Sequence, residues 1–253
     1  MKIDLAKKLV LITGASGGIG RTIAKTCATC GADVALHYYK DKVSAQKTAD
    51  DIRNMGRKAQ IFQADITRSE EINAMKNEIF ASMGAPQIIV NNAVIQYEWK
   101  NILEQDLNDY ESQFRSCVMH NVLMIKAFVP EMVKKKYGRV IAMNTECAME
   151  MHPTQSAYVA GKRGMDGLLK VLAREVGEFG ITVNQIAPGW TITEKFNGKL
   201  PDGAEDYAQT VPLKRMGTDQ DIANAAVFLA SDLAGFITGA YIPVCGGNVM
   251  PTI

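Results

Sequence analysis

Short runs rich in valine and isoleucine alternate with longer amphipathic stretches along this chain, and that alternation limits the folds open to it. The runs are LVLIT (9–13), DVALHY (33–38), KAQIFQ (58–63), QIIVNN (87–92), RVIAMN (139–144), TVNQIA (182–187) and YIPV (241–244). Most are apolar at neighbouring positions, the pattern of a strand covered by helices on both faces. Helical spacing runs over 19–30, 45–55, 69–83 and 158–179, and each of these segments stops at a glycine: Gly31, Gly56, Gly84 and Gly180. Glycine takes the left-handed conformation that ends a helix at no steric cost. Ser69 followed by Glu70 and Glu71 suits a helix N-terminus. An alternation this regular predicts an α/β fold with a doubly wound parallel sheet of Rossmann type, seven strands with helices on both faces. No linker, low-complexity run or repeat breaks the 253 residues, so a single domain over 1–253 is expected.

Composition excludes more than it identifies. A net charge of +1 gives no electrostatic reason to expect nucleic acid or an anionic membrane as partner. The apolar run near the start is too short for a secretory signal, and no stretch reaches the ~20 apolar residues of a membrane span. Five cysteines, an odd number in a chain with room for a sizeable core, fit a reducing cytoplasm better than a disulfide framework. Cys27 and Cys30 form a C-x-x-C at the end of a helix, where the dipole opposes a thiolate. Packing is their expected role. The three histidines lack metal-ligand spacing, and no metal site is expected. Lys134, Lys135 and Lys136 suit an acidic carrier protein or, more simply, a solvated helix end.

After the first strand comes TGASGGIG, with Gly14, Gly18 and Gly20 in a G-x-x-x-G-x-G spacing. Such a turn brings backbone N–H groups to an anion at a helix N-terminus. A dinucleotide pyrophosphate is the favoured ligand, with S-adenosylmethionine or a plain tight turn as alternatives. The second strand ends in His37-Tyr38-Tyr39-Lys40, with no acid before Asp41. An acid there would hold the ribose hydroxyls of NAD. Lys40 with Tyr38 or Tyr39 would instead meet a 2′-phosphate, which favours NADP(H) over NAD(H).

In NTECAMEMHPTQSAYVAGK (144–162), Tyr158 and Lys162 lie at i and i+4 and share a helix face. A tyrosine with an ordinary pKa of about 10 transfers protons poorly at neutral pH, and a neighbouring ammonium is expected to lower that value. A further hydroxyl near the reacting oxygen, such as that of Thr145, would polarise a carbonyl. Glu146 and His152 are candidates for a polar substrate group or simply for a solvated loop.

The chain resembles the short-chain dehydrogenase/reductase family from end to end. The resemblance rests on TGASGGIG, Asp65 after the third strand, NNA at Asn91 to Ala93, Asn121, YVAGK, Pro188-Gly189 with Thr193 following, and the closing ITGAYIPVCGG. It is greatest for the 3-oxoacyl-(acyl-carrier-protein) reductases. It implies Tyr158 as acid/base, Lys162 lowering its pKa and binding the nicotinamide ribose, Thr145 in the place of the usual serine, and Asn121 holding a relay water. It implies a cofactor lined by Gly14, Ser16, Gly18, Ile19, Gly20, Tyr38, Tyr39, Lys40, Asp65, Ile66, Asn92, Ala93, Pro188, Gly189, Thr191 and Thr193. Val94, Gln96, Glu146, His152 and Trp190 would face substrate beneath a lid over about 190–211. Strand order 3-2-1-4-5-6-7 and a homotetramer, or a homodimer, are further implications. Three positions depart from the family pattern: Thr145, Val94 in place of glycine, and Cys245 in place of aspartate. If the backbone at Val94 needs φ > 0, a cost of about 1–2 kcal/mol follows. The functional expectation is an NADP(H)-dependent oxidoreductase interconverting a carbonyl, small-molecule or acyl-thioester, and a secondary alcohol. A sugar or polyol dehydrogenase of the same family and a non-catalytic dinucleotide-binding scaffold are the alternatives.

Overall fold

The computed structural model describes residues 3–196 and 198–251; the ends of the expected domain and Asn197 of the expected lid lie outside the described residues. The seven expected strands are β1 (Leu9–Ile12), β2 (Asp33–Tyr38), β3 (Ala59–Gln63), β4 (Ile88–Asn91), β5 (Gly138–Met143), β6 (Ile181–Pro188) and β7 (Tyr241–Val244). They pair in parallel throughout, in the order 3-2-1-4-5-6-7. The helices are α1 (Gly18–Thr29), α2 (Lys42–Asn54), α3 (Ser69–Ser82), α4 (Leu107–Gln113), α5 (His120–Lys135), α6 (Cys147–Glu150), α7 (Ser156–Val176), α8 (Ala204–Thr210) and α9 (Asp219–Ala230).

Successive side chains of each strand enter different layers, as the period of two requires. Val10 and Ile12 join Ile23 and Ala24 of α1, Ile52 of α2 and Ile222 of α9. Leu9 and Leu11 join Ile79 of α3, Phe128 of α5 and Leu169 of α7 on the other face. Both layers exclude solvent almost completely, so trimming one of these side chains to alanine costs about 2–5 kcal/mol. The C-x-x-C fits the expected packing role on one side: Cys27 is buried in the first layer, and burial raises its thiol pKa far above the ordinary value.

Helix limits differ from the sequence expectation where a cap decides them. The Asp41 carboxylate accepts from the Ser44 N–H, so α2 starts at Lys42 rather than 45. The long segment expected over 158–179 begins at Ser156 and tightens to a 3₁₀ turn, Gly177–Phe179. Helix α9, which the periodicity did not mark, opens with reciprocal bonds between Thr218 and Asp221. Between α4 and α5 the chain makes a π-helical turn, Phe114–Met119.

The order reverses between β1 and β4, whose C-terminal ends splay their following chains apart. That crevice is where doubly wound sheets place a ligand. The segments after β1, β2, β4, β5 and β6 all open on this edge.

Candidate active site

The glycine turn is fastened at three points. The Thr13 hydroxyl accepts from the N–H groups of Asn92 and Ala93 at 2.9 and 3.0 Å, and Asn92 Nδ2 returns bonds to the carbonyls of Thr13 and Gly14. The Gly14 N–H donates to His37 Nδ1 at 3.0 Å, which leaves Nε2 to carry the proton and bond the Ala64 carbonyl. Burial lowers the His37 pKa to about 4, so this neutral tautomer persists at physiological pH. Gly14 has φ +67° and Gly18 φ +54°, and a Cβ on Gly20 would lie 2.3 Å from the Gly14 carbonyl oxygen. The glycines are therefore required by conformation and by contact.

A carboxylate of the chain itself shows what this turn can hold. Glu194 Oε1 accepts the Gly18 N–H at 2.7 Å and lies 3.3 Å from Arg21 Nη1. An anion thus sits on the first turn of α1, where a pyrophosphate would bind. The residues present fit a dinucleotide phosphate.

Facing this seat, Tyr158 and Lys162 project from α7. Tyr158 is half-buried, with the Thr145 side chain beside its hydroxyl. Lys162 is buried, its Nζ donates to the Met143 carbonyl, and it lies 5.7 Å from the centre of the Tyr158 ring. Thr145 is held on both sides: its N–H donates to Asn144 Oδ1, and its carbonyl accepts from the Tyr241 hydroxyl. Asn144 Nδ2 in turn reaches Gln185 Oε1 and the Lys162 carbonyl. Strand β5, strand β6 and helix α7 are locked together within a few ångströms of the two hydroxyls.

Comparison with known proteins agrees with this geometry. A sequence model of the family described as enoyl-(acyl carrier protein) reductase matches residues 14–248. The 3-oxoacyl-[acyl-carrier-protein] reductase FabG of Escherichia coli K12 is 36% identical, covering 96% of this chain and 98% of its own. Its counterpart from Staphylococcus epidermidis is 34% identical, over 96% and 99%. Among solved structures, a 7α-hydroxysteroid dehydrogenase complexed with NADH and 7-oxo glycochenodeoxycholic acid superposes with TM-score 0.91 at 31% identity, covering 99% of this chain and 97% of that one. The chain belongs to the short-chain dehydrogenase/reductase family. It is an oxidoreductase acting on CH–OH groups with a nicotinamide dinucleotide.

Within this short-chain dehydrogenase/reductase several expected residues have other settings than the sequence suggested. The expected lowering of the Tyr158 pKa is reversed: burial raises it well above the tyrosine range, and burial also lowers that of Lys162. The Lys162 ammonium is turned to the Met143 carbonyl. The Asn121 side chain donates to the Cys117 carbonyl and accepts from Asn91 Nδ2, both at 2.7 Å. Its side-chain amide is therefore committed to its neighbours in and beside the π-turn. Val94 is not among the residues with positive φ, so the expected strain is absent. Cys245 is buried and bonds its own loop through the Val249 N–H. Ile66 is buried in the core layer, and the Asp65 carboxylate takes the N–H and hydroxyl of Thr67. Tyr38 is buried in β2, which leaves Tyr39 and Lys40 exposed at its end.

On the substrate side, Glu146 is neither solvated nor open: it is 4% exposed and tied to Tyr207, Trp190 and Asn248. His152 is exposed, with Nε2 3.4 Å from Glu150, and Gln96 is exposed too. Thr191 caps its own turn through the Gly189 carbonyl, and residues 191–192 pair with 217–218 in a short ladder. Thr193 comes within 3.7 Å of where a Gly18 Cβ would stand, while Ser16 offers its carbonyl to Arg21 and Ile19 packs on the core. The sequence reading missed two aromatic residues. Trp99 stacks on the Tyr158 ring with centroids 6.0 Å apart, and the Tyr97 hydroxyl accepts the Tyr158 N–H at 2.8 Å. Only the aromatic spacing Y-x-W after NNAV hinted at them.

Proposed function

We propose that this protein is an NADP(H)-dependent reductase of a carbonyl to a secondary alcohol, with Tyr158 as the proton donor. The observation that carries the reading is the buried Thr145 beside the half-buried Tyr158, backed by the buried Lys162. Gly14, Gly18, Gly20, Asn92, Ala93, Lys162 and the Pro188-Gly189 turn would hold the dinucleotide, which when bound would supply the hydride. The chain supplies the rest. A carbonyl oxygen placed between the Thr145 and Tyr158 hydroxyls would accept from both. In the direction of reduction the Tyr158 phenol would give its proton to the oxygen as hydride reaches the carbon.

Two features support NADP(H). Tyr39 is exposed, with Lys40 Nζ 5.2 Å from its ring centre. The first carboxylate after the strand, Asp41, is engaged in capping α2. The apolar cover of Trp99 beside Tyr158 favours an apolar acyl chain, such as an acyl thioester, over a sugar or polyol, which loses Glu146 as its polar contact. Exposed Leu103, Leu107, Phe114 and Phe236 are consistent with a homotetramer, and the composition with a cytoplasmic setting. Among the described residues no helix is long and apolar enough to cross a membrane.

The test is Tyr158→Phe. Turnover of a 3-oxoacyl thioester with NADPH should fall by at least ~10²-fold, the scale of a lost general acid. Dinucleotide affinity should stay within about threefold, since the lost hydroxyl only meets the reacting oxygen. Retention of turnover, or an inactive wild type that binds NADPH, would favour the non-catalytic scaffold. Tighter binding of NADH than NADPH would overturn the cofactor assignment.

A further inference from the structure

The loop carrying Thr145 and the segment covering the site meet at one buried carboxylate. Glu146 Oε1 accepts from the Trp190 N–H at 3.1 Å and from the Tyr207 hydroxyl at 2.8 Å. Oε2 lies 3.0 Å from the same hydroxyl and accepts from Asn248 Nδ2 at 3.1 Å. The Tyr207 hydroxyl also receives the Trp190 N–H at 3.0 Å. Helix α8, the turn after β6 and the chain after β7 therefore converge on a single side chain. The fit is close: a Cβ on Gly189 would stand 2.5 Å from the Tyr207 hydroxyl, and the Trp190 and Tyr207 rings meet edge to face at 5.6 Å.

No cation balances this carboxylate among the described residues. Its titratable neighbours are Cys147 and Glu150 from its own loop and Tyr207 from α8, and Cys245 after β7 faces Tyr207 in turn. Glu150 shares Asn248 with it at 2.7 Å, and His152 reaches Glu150 instead. Burial pushes the Glu146 pKa above the usual carboxylate range. A buried charge held only by hydrogen bonds is a poor stabiliser of a fold, which turns attention to what those bonds position.

We propose that Glu146 is a positioning residue that fastens helix α8 onto the Pro188-Gly189 turn and thereby sets the adjoining Thr145 beside Tyr158. This rests on the catalytic reading of Thr145 and Tyr158 given above. It assigns α8 a fixed closure contact on the loop of the reacting hydroxyls, made by a residue that touches neither substrate nor dinucleotide.

The experiment compares the full-length protein with Glu146→Ala, Glu146→Gln and Tyr207→Phe, by steady-state kinetics on a 3-oxoacyl thioester and by amide hydrogen exchange. Glu146→Ala should lower kcat/KM by about 10–100-fold, the scale of lost hydrogen bonds to a charged group, and the loss should appear in kcat as well as KM. Glu146→Gln should recover most of it, because its amide oxygen still accepts from Trp190 and Tyr207. Tyr207→Phe removes one hydroxyl and should mimic Glu146→Ala, and the two changes combined should add little beyond either. Amides of 204–210 should exchange faster in both variants. Wild-type kcat and KM in Tyr207→Phe, or unchanged exchange in α8, would overturn the proposal. Turnover retained in Tyr158→Phe would overturn the catalytic reading and with it the effect on Thr145, while the exchange of α8 would still report whether Glu146 holds that helix.

Discussion

The two ends of the site are built by different means. At the dinucleotide end the backbone is the working surface: N–H groups of a glycine turn, positive φ angles, and carbonyls brought within van der Waals range. At the substrate end side chains carry the arrangement: Thr145, Tyr158, Glu146, Tyr207 and Trp99, joined across 61 residues in more than one case. A backbone site tolerates few substitutions and writes itself into the sequence as glycines at fixed spacing. A side-chain site can be rebuilt with other residues, as Thr145 in the place of the usual serine illustrates. The comparison can be broken by showing that the glycine end tolerates change or that the side-chain end does not.

The largest effect is expected at the glycine end. Gly20→Ala places a Cβ 2.3 Å from the Gly14 oxygen and 2.6 Å from Asn92 Nδ2. Backbone and the Asn92 tie must both shift, at a cost of about 1–3 kcal/mol from overpacking, with the anion seat displaced. Dinucleotide affinity should fall by at least ~30-fold in a fluorescence titration, roughly 2 kcal/mol of lost binding. Gly56→Ala is the control. It also has positive φ, +79°, but nothing lies within 4 Å of its Cβ. It should cost only about 1–2 kcal/mol of stability and leave affinity intact. Equal losses in the two variants would show that strain, not the close approach, makes the seat.

These two ends were unequally legible in the sequence. The sheet order follows from strand–helix alternation and the implied family, and its seven strands sit within a few residues of their predicted limits. Gly14, Gly18 and Gly20 could be read because only glycine meets their conformation or contact. His37 could not: a lone histidine in a strand gives no sign that its ring will bond Gly14 on one side and Ala64 on the other. Nor could Glu146, whose partners lie 44, 61 and 102 residues away. The π-turn before Asn121 and the direction of the Tyr158 pKa depend on burial that local pattern does not encode. The i, i+4 spacing of Tyr158 and Lys162 predicts proximity, yet the ammonium's choice of the Met143 carbonyl is a tertiary fact.

A smaller effect sharpens the contrast at the boundary between the ends. Glu194 reaches from the lid to the Gly18 N–H and Arg21, so a side chain occupies part of the backbone seat. A pyrophosphate needs the same N–H, and a nearby carboxylate opposes its charge. Glu194→Gln should tighten NADPH and NADH alike, by about 3–10-fold at low salt, with less gain at high salt because the pair is partly exposed. Unchanged affinity in a titration at low ionic strength would mean that Glu194 leaves the seat without resistance when the dinucleotide arrives.

The smallest effect is one of stability, and its sign separates a side chain kept for positioning from one kept for folding. The pKa of Glu146 is raised in the folded protein, burial being the largest cause. A raised pKa means that the fold favours the protonated form. The associated stability is fully present below the ordinary carboxylate pKa and is lost as pH rises through the higher folded value. Glu146→Gln removes that dependence and leaves every other titrating group in place. At pH 7 the variant should therefore be at least as stable as the wild type. On acidification towards pH 4 the wild type should gain relative to it, by a few degrees in melting temperature at most. The check is a pair of thermal melts across pH 4–8, read as a difference so that shared titrations cancel. A variant less stable at neutral pH, by a margin that shrinks as the solution is acidified, would show that ionised Glu146 stabilises the fold. The side-chain end would then depend on its charge for folding, as the dinucleotide end depends on its glycines.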